Sequence, residues 1–326
     1  MEMTQGQPAA PAARTTIAVT GGTGFVGRHL MRALVQRPDV CVRLLSRKRP
    51  DFNFPTSNLE VVTGDLADKG AVAELLAPGC TLVNLAYSNV RTPELNLSNA
   101  KTLAQACAVA GVSAVVHCST ASVFGSPSTS AIHEGVTCVP RSAYGVTKLQ
   151  IEEAFSRASK DAYRLITLRP TQVFGPGGPA LTKLIDEIRN GNTLVQYGRE
   201  CLYGARRLNL VSVSTLVNAI LFMLSNEKVV PGIYVVSQDA WRENNYRYVA
   251  DAVYAGTGKA KWLPRLNMPM QLLQALLKLC GREEINTDID YSSSKLIHSG
   301  FKNDEYFPEA LNIFISSHLS QQKIGN

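Results

Sequence analysis

The amino-acid sequence predicts an α/β fold, in which a doubly wound parallel sheet is followed by a smaller C-terminal α/β unit. Between residues 15 and 175, short apolar runs rich in β-branched residues alternate with segments of helical length. Such alternation requires a parallel sheet with helices on both faces, because each crossover must return the chain to the same edge of the sheet. The first apolar run also turns through glycines directly into a helical segment, as sheets of this class commonly do at their first strand.

The individual elements follow from runs of apolar residues and from the turn residues between them. Strands are predicted at residues 16–19, 40–45, 59–63, 82–85, 114–118 and 165–168, and helices at 27–36, 71–76, 97–110 and 144–158.

The alternation stops after the Gly/Pro-rich stretch 174–179, and the remaining chain mixes helices with isolated strands such as 233–236. We therefore expect a ligand cleft between two domains. The predicted organisation is a disordered tail at 1–14, a dinucleotide-binding domain at 15–175 and a mainly substrate-binding domain at 176–326, some of whose segments return to the first domain.

Composition limits the classes to which the chain can belong. A hydrophobic content of 45% with 18% charged residues is ordinary for a globular protein. The tail lacks a secretory signal, and no run approaches the roughly 18 apolar residues of a membrane helix. The apolar stretch 268–280 is interrupted by Gln271, Gln274 and Lys278. We interpret it as a packed helix, with a dimer or membrane-surface contact as the alternative.

The cysteines and the net charge bear on compartment and partners. The seven cysteines are scattered and form no Cys-x-x-Cys pair, which favours reduced thiols in the cytoplasm and argues against a metal site. The net charge is +7, but the tight basic cluster Arg47-Lys48-Arg49 has no interleaved aromatic residues. We therefore predict neither a nucleic-acid nor a membrane partner, and a small anionic ligand for that cluster.

The glycine turn at residues 20–27 predicts a ligand as well as a fold. Bare glycine backbone lets a pyrophosphate approach closely, and the first helix points its N–H groups and the positive end of its dipole at the same spot. A turn with only a structural role is the alternative. The residues expected to contact a dinucleotide here are Gly21, Gly24, Phe25, Val26 and Gly27.

The residues after the second strand distinguish the two common dinucleotides. A carboxylate at this position, about 20 residues past the glycines, would hold the adenosine ribose of NAD. Here the position carries Ser46 and Arg47, while Asp39 precedes the strand and Asp51 lies beyond it. A hydroxyl and a guanidinium suit the 2′-phosphate of NADP, because Arg donates two hydrogen bonds in a fixed fork. We predict NADP(H) rather than NAD, with Arg28 as a second cation; a solvated basic turn is the alternative.

A second constellation supplies proton chemistry. The strand 114–118 runs into Thr120, and Tyr144 and Lys148 follow in a helical segment. A spacing of four places Tyr144 and Lys148 on one face of a helix. An ammonium group and an oxidised nicotinamide ring near the phenol are expected to lower its pKa from about 10 toward the neutral range. Thr120 would hydrogen-bond the same substrate oxygen.

Taken together, these motifs resemble the extended short-chain dehydrogenases/reductases, in their NAD(P)-dependent nucleotide-sugar epimerase/dehydratase family. The resemblance covers residues 15 to 180 and implies a Rossmann-type sheet. Its motifs are the glycine turn at 20–27, Gly64-Asp65-Leu66, Leu85-Ala86, the stretch 119–125, Tyr144 to Lys148, and Leu168-Arg169-Pro170-x-x-Val173-Phe174-Gly175.

The resemblance implies roles for particular residues. Tyr144 would act as acid and base, Lys148 would bind the nicotinamide ribose and tune Tyr144, and Thr120 would polarise a carbonyl. Relatives also dimerise through helices that would correspond to 97–110 and 144–158, so a homodimer is expected. The remaining cofactor contacts implied are Asp65 and Leu66 near the adenine, and Leu85, Ala86, Pro170 and Val173 along the cofactor.

Substrate contacts are implied where the chain departs from the family pattern. Gln172 stands where the family often has Asn and tends to face substrate. Arg207, in the stretch 206–211, is a candidate clamp for a nucleotide diphosphate, with a plain surface arginine as the alternative. Lys183 is a weaker candidate of the same kind, and Thr215 stands where an Asp is common. His117, on an apolar strand, is interpreted as a core residue.

The leading hypothesis is an NADPH-dependent reductase of a keto-deoxy nucleotide sugar. A nucleotide-sugar 4-epimerase with tightly bound NAD would use the same three residues. A reductase of steroid- or flavonoid-like ketones would need an apolar pocket without arginines. A non-catalytic NADP-binding sensor is the alternative from a different class.

Overall fold

The computed structural model describes residues 14–125, 127, 129–204, 206–258 and 289–324. The predicted tail at 1–14, apart from its last residue, and the apolar stretch 268–280 lie outside these residues. The strands are β1 Thr15–Thr20, β2 Val40–Ser46, β3 Leu59–Thr63, β4 Thr81–Asn84, β5 Ala114–Cys118, β6 Ala131–Ile132, β7 Arg164–Pro170, β8 Gln172–Phe174, β9 Leu210–Ser212, β10 Gly232–Val236 and β11 Asp290–Tyr291.

The helices flank this framework, and those of the first half agree closely with the predicted ranges. A single 3-10 turn spans Ala121–Val123. The helices are α1 Phe25–Val35, α2 Lys69–Leu75, α3 Pro93–Ala110, α4 Ala143–Ser159, α5 Thr182–Asn190, α6 Thr193–Tyr203, α7 Val213–Ser225, α8 Tyr246–Thr257, α9 Ser294–His298 and α10 Phe307–Ile324.

Seven parallel strands form the main sheet in the order β10-β7-β5-β4-β1-β2-β3. The chain moves outward from β1 to β3 and then returns to place β4 on the other side of β1. This reversal leaves a crevice at the carboxyl ends of β1 and β4, where α/β sheets bind their ligands. The two strand ends are tied together by the Thr20 hydroxyl, which donates a hydrogen bond of 2.7 Å to Oδ1 of Asn84.

One strand corrects the sequence-based prediction. Residues 233–236 are not an isolated strand, because β10 pairs in parallel with β7 and forms an edge of the main sheet. Its backbone groups are occupied by side chains from elsewhere in the chain. Glu134 accepts from the Val235 N–H at 2.8 Å, and Lys295 Nζ donates to the Ile233 carbonyl at 2.7 Å. Side chains that occupy an edge in this way discourage pairing with a further strand.

Apolar layers cover both faces of the sheet. Successive β1 side chains point to opposite faces, and both sets are buried, since Ile17 and Val19 join the cluster under α1 and α7 while Ala18 joins the cluster under α2, α3 and α4. A third cluster, around Phe174 and Phe307, packs α5, α8 and α10 together. Burial on both faces explains why the strands consist of almost uninterrupted apolar residues.

Two further findings concern the described residues. None of their helices has the length and hydropathy needed to cross a membrane. The six cysteines in this part of the chain form no disulfide.

Candidate active site

The glycine turn brings β1, α1 and the loop after β4 into backbone contact. Gly21 has a φ of +76°, and a Cβ there would lie 2.7 Å from the Ala86 N–H nitrogen. A Cβ at Gly27 would overlap the carbonyl oxygen of Gly21. Both positions therefore exclude side chains for reasons of chain path, independently of any ligand.

Gly24 differs from these two glycines. A Cβ built on it would meet only the Gly21 oxygen, at 3.3 Å, and otherwise point into open space. Gly24 is the N-cap of α1, and among the described residues no side chain caps this helix, whereas α2, α3 and α4 are capped by Asp68, Thr92 and Ser142. The first N–H groups of α1 thus face a cradle that a Cβ would fill. The residues present fit the pyrophosphate of a dinucleotide.

The two kinds of glycine predict different mutant behaviour. Gly24→Val should weaken dinucleotide binding by about tenfold or more, with little change in Tm, because its side chain would fill the space in front of the first N–H groups of α1. Gly27→Val should instead lower Tm markedly, because its side chain collides with backbone. Fluorescence titration with NADPH and thermal unfolding measure the two effects. Equal losses of Tm in both variants would contradict the assignment of Gly24 to the ligand.

At the adenosine end, three charged side chains from separate loops meet. Arg91 donates to both carboxylate oxygens of Asp65, with Nη1 at 3.0 Å from Oδ1 and Nη2 at 2.5 Å from Oδ2. The hydrogen bonds from Arg91, with a smaller contribution from the charge of Arg47, hold the pKa of Asp65 below its usual value. The Ser46 hydroxyl donates to the Lys48 carbonyl at 2.7 Å, and Arg47 is exposed. Leu66 is partly buried below this group.

Arg91 is a residue that the sequence reasoning missed. It lies 26 positions from Asp65, and no local pattern links the two. Asp65 was expected near the adenine, and the structure places its carboxylate in a bidentate ion pair with Arg91. The pair joins the loop after β3 to the loop after β4 across one side of the crevice.

The structure brings Thr120, Tyr144 and Lys148 together. Ser142 caps α4 by accepting from the Gly145 N–H at 3.0 Å, and a Cβ at Gly145 would lie 2.7 Å from the Ser122 carbonyl oxygen. The first turn of α4 therefore lies directly against the 3-10 turn that follows Thr120. Thr120 hydrogen-bonds the side chain of Tyr144. The predicted spacing of four residues is satisfied by the helix.

The pKa of Tyr144 is raised in the protein, whereas the sequence predicts that it is lowered. The groups packed around Tyr144 raise its pKa to about 12 although the residue is 38% exposed, and the hydrogen bond from Thr120 only partly offsets this. Lys148 Nζ, 3% exposed, donates to the Cys118 carbonyl at 2.7 Å, and burial lowers the pKa of its ammonium. The protein's own groups therefore do not lower the pKa of Tyr144 as predicted. Burial is the largest influence on the pKa of Tyr144, which it raises, and on the pKa of Lys148, which it lowers.

A buried ion pair links the chain segments that carry Thr120 and Lys148. Glu152, one helical turn after Lys148, accepts from Arg169 Nη2 at 2.7 Å, and the two side chains are 7% and 4% exposed. The Ser119 hydroxyl donates to the same carboxylate. Ser119 precedes Thr120, and Arg169 precedes Pro170, so this network joins the ends of β5 and β7 to α4. Sequence reasoning included Arg169 in a motif but assigned it no partner.

Phe25, Val173 and Pro170 lie around the same crevice. The Phe25 ring packs against Gly178 so closely that a Cβ there would lie 2.6 Å from its Cε1 atom. Val26, Leu85 and Val173 pack against the apolar cluster under α1 and α7, and Pro170 ends β7. Phe25, which follows the last-but-one glycine of the turn, thus contacts the Gly/Pro-rich stretch 174–179.

Of the substrate candidates, Gln172 is the first residue of β8, Arg207 lies three residues before β9, and Lys183 lies on α5. The Arg207 guanidinium donates to the Asp239 carbonyl and lies 3.9 Å from the Asp290 carboxylate. Gln172 is exposed, and its N–H donates to the Asn209 carbonyl at 2.9 Å. Lys183 is 89% exposed on α5 and faces Glu187 at 3.8 Å.

Two other predictions concern single side chains. Thr215, where an Asp is common in the family pattern, donates to Glu305 at 2.8 Å, so a distant residue supplies the carboxylate at this point. His117 is fully buried, as predicted for a core residue, and its Nδ1 lies 3.1 Å from the Asn84 amide nitrogen. Burial lowers the pKa of His117 well below its usual value, so the ring is neutral.

Comparison with known proteins is consistent with this geometry. Residues 17–237 match the NAD dependent epimerase/dehydratase family. The chain is 30% identical over 196 residues to a UDP-glucose 4-epimerase of Azospirillum brasilense, covering 53% of this chain and 56% of that protein. It is 33% identical over 174 residues to a ceramide reductase of Caulobacter vibrioides, covering 51% and 48%.

A solved structure shows the same fold at low sequence identity. The enzyme WbmH of Bordetella bronchiseptica, in complex with NAD⁺, superposes with a TM-score of 0.70 at 19% identity, covering 96% of this chain and 100% of that one. In sequence, the chain spans about half the length of the first curated relatives it matches. Since the family match extends over more than half of the chain and includes every motif of the crevice, the protein belongs to the NAD dependent epimerase/dehydratase family of extended short-chain dehydrogenases/reductases.

Proposed function

We propose that the protein is an NADPH-dependent reductase of a keto-deoxy nucleotide sugar. The observation that carries the choice of reductase is the Ser46-Arg47 turn at the end of β2, which presents a hydroxyl and a guanidinium where NAD-binding relatives of this fold use a carboxylate. A net reduction consumes a reduced cofactor, whereas an epimerase returns its hydride to the same substrate. A turn suited to a 2′-phosphate therefore favours reduction.

Each site residue has a role in the proposed reaction. Bound NADPH would supply the hydride that reaches the keto carbon. Tyr144, protonated at neutral pH because burial raises its pKa to about 12, donates its proton to the carbonyl oxygen, so that the ketone becomes an alcohol. Thr120 donates a hydrogen bond to the same oxygen, and Lys148 holds the nicotinamide ribose. Gly21, Gly24 and the first turn of α1 bind the pyrophosphate.

The nucleotide part of the substrate is assigned to the second half of the chain. Arg207 would contact the diphosphate and Gln172 the sugar, as the resemblance implies. A substrate domain at 176–326, a homodimer and a cytoplasmic location belong to the same proposal. An arginine near the end of β10 favours an anionic substrate over a steroid- or flavonoid-like ketone, which would need an apolar pocket.

The proposed function is tested by mixing the purified protein with NADPH and a 4-keto-6-deoxy nucleotide sugar. We expect the absorbance of the reduced nicotinamide to fall in proportion to the alcohol formed, and to fall more slowly with NADH. Unchanged absorbance, together with NAD that co-purifies tightly with the protein, would overturn the reductase.

A nucleotide-sugar 4-epimerase is the second candidate, favoured by the likeness to a UDP-glucose 4-epimerase. It would use Thr120, Tyr144 and Lys148 in the same places. Incubation with UDP-glucose and NAD distinguishes the two candidates. An epimerase forms UDP-galactose without a net change in the cofactor, whereas a reductase forms no UDP-galactose.

Arg47 and its neighbour Arg49 offer a matched test of cofactor choice. Arg47 is close enough to Asp65 to contribute to the lowered pKa of that carboxyl, and Asp65 is the residue expected near the adenine. Arg47→Ala should raise the KM for NADPH about tenfold, the loss expected for one charge-assisted contact, and leave the KM for NADH unchanged. Arg49→Ala should change neither KM. Equal effects of Arg47→Ala on both cofactors would argue against a 2′-phosphate contact.

A further inference from the structure

Tyr87, in the loop after β4, touches both of the proposed proton-handling side chains. Its ring centroid lies 5.0 Å from that of Tyr144, with the two planes at 88°. The Lys148 Nζ lies 5.5 Å from the centre of the same ring. An edge-to-face aromatic pair and a cation over a ring face are both favourable arrangements. No motif or family pattern in the sequence had drawn attention to this residue.

The scaffold holds Tyr87 from both sides along the chain. On one side, the Ala86 N–H donates to Oδ1 of Asn84 at 3.2 Å. On the other, the buried Asn96 of α3 accepts from the Ser88 N–H at 3.0 Å and donates to the Ser88 carbonyl at 2.9 Å. The backbone around Tyr87 is therefore tied to β4 and to α3, and its ring, partly buried, packs against the apolar cluster under α2, α3 and α4.

A fixed ring at this place restricts the side chain that transfers the proton. Tyr144 belongs to the first turn of α4, and its phenol must keep one orientation to reach both Thr120 and a substrate oxygen. The edge-to-face contact limits rotation of the phenol, and the Tyr87 ring also keeps water from one side of it. Lys148 keeps its ammonium between the Cys118 carbonyl and the ring face.

We propose that Tyr87 is a positioning residue for proton transfer, which orients the Tyr144 phenol and shields it from water while its ring face holds Lys148. The inference rests on the proposed function for its kinetic consequences, but not for its effect on Tyr144 itself. Tyr87 would thus be a fourth side chain of the proposed site, and it would act through Tyr144 and Lys148.

The kinetic test compares Tyr87→Ala with Tyr87→Phe. The alanine variant should lose about tenfold to a hundredfold in kcat with a KM for NADPH within about twofold of the original, because orientation is lost and binding is not. The phenylalanine variant should retain kcat within about threefold, since the ring and not the hydroxyl makes both contacts. A matched control is Tyr306→Ala, which removes a ring paired edge-to-face with Trp241 at 5.0 Å and 84°.

The pH profile gives a readout that a purely structural defect would not move. Reduction needs protonated Tyr144, so the rate falls as pH rises through the pKa of that phenol. Burial raises this pKa in the intact protein. Admitting water by Tyr87→Ala should lower it toward its ordinary value of about 10, so the alkaline loss of rate begins at a lower pH. Tyr87→Phe and Tyr306→Ala should keep the original profile.

A direct measurement on Tyr144 distinguishes failure of this inference from failure of the proposed function. In protein labelled with ¹³C at tyrosine Cζ, the Tyr144 signal is identified by its disappearance in Tyr144→Phe, and its titration is followed without substrate or cofactor. We expect the Tyr144 signal of Tyr87→Ala to titrate at lower pH than that of the original protein. Unchanged titration would overturn the positioning role even if the protein reduces its substrate, and a shifted titration would support it even if no reductase activity is found.

Discussion

Tyr144→Phe is expected to lower kcat for NADPH-dependent reduction by about 10²–10⁴-fold, the contribution typical of a positioned general acid. The substitution removes one hydroxyl from the end of a ring that the fold holds against Thr120 and Tyr87. The remaining ring keeps its packing, so NADPH should still bind with nearly unchanged affinity. Stopped-flow measurement of nicotinamide oxidation gives kcat, and fluorescence titration gives the dissociation constant.

The control for this variant is Tyr248→Phe, which removes a hydroxyl bonded to Asn312 on the far helices and should leave kcat unchanged. A protein that binds NADPH as a sensor without chemistry would be indifferent to Tyr144→Phe. Turnover equal to that of the original protein would therefore remove Tyr144 from the mechanism.

Glu152→Ala is expected to reduce the free energy of unfolding by about 3–5 kcal/mol, because it leaves the Arg169 guanidinium buried without its carboxylate. The pair is 7% and 4% exposed, so water is a poor substitute for the lost partner. The Ser119 hydroxyl loses its acceptor in the same variant. Urea unfolding followed by tryptophan fluorescence and circular dichroism measures the change.

The neighbouring residue gives a matched control on the same helix. Glu153 pairs with Arg157 at 2.8 Å, but the two side chains are 51% and 71% exposed. An exposed pair spaced by four residues contributes about 0.3–0.5 kcal/mol, so Glu153→Ala should hardly change the free energy of unfolding. Similar losses in the two variants would show that burial of the Glu152–Arg169 pair has no energetic consequence.

Much of the dinucleotide-binding half could be predicted because its signals are local. The glycine turn, the alternation of strand and helix, and the four-residue spacing of Tyr144 and Lys148 are each contained in a short stretch of chain. Parallel topology then requires strand ends such as Thr120 to meet at one edge of the sheet. The family match over residues 17–237 agrees with these predictions.

The second half was harder to predict, since its elements are spread over both parts of the structure. The sequence predicts an isolated strand at residues 233–236, yet β10 forms an edge of the main sheet beside β7. Residues 232–236 do not indicate which strand β10 pairs with, because pairing depends on which edge of the sheet is exposed once the other strands have formed it. The choice between sheet edge and isolated strand is therefore a property of the assembled sheet.

Short stretches of the amino-acid sequence are sufficient to predict the α/β class, a phosphate-binding role for the glycine turn, and Thr120, Tyr144 and Lys148 as a catalytic trio, because each prediction depends on residue type and short spacing. The pairing of Arg91 with Asp65, the link from Ser119 through Glu152 to Arg169, and the contacts of Tyr87 with Tyr144 and Lys148 are visible only in the tertiary structure. These partners lie 17 to 61 residues apart, from Arg169–Glu152 to Tyr87–Lys148. Contact at such separations is set by how the strands are ordered and how the helices pack on them. The raised pKa of Tyr144 has the same origin, since burial is a property of the folded chain.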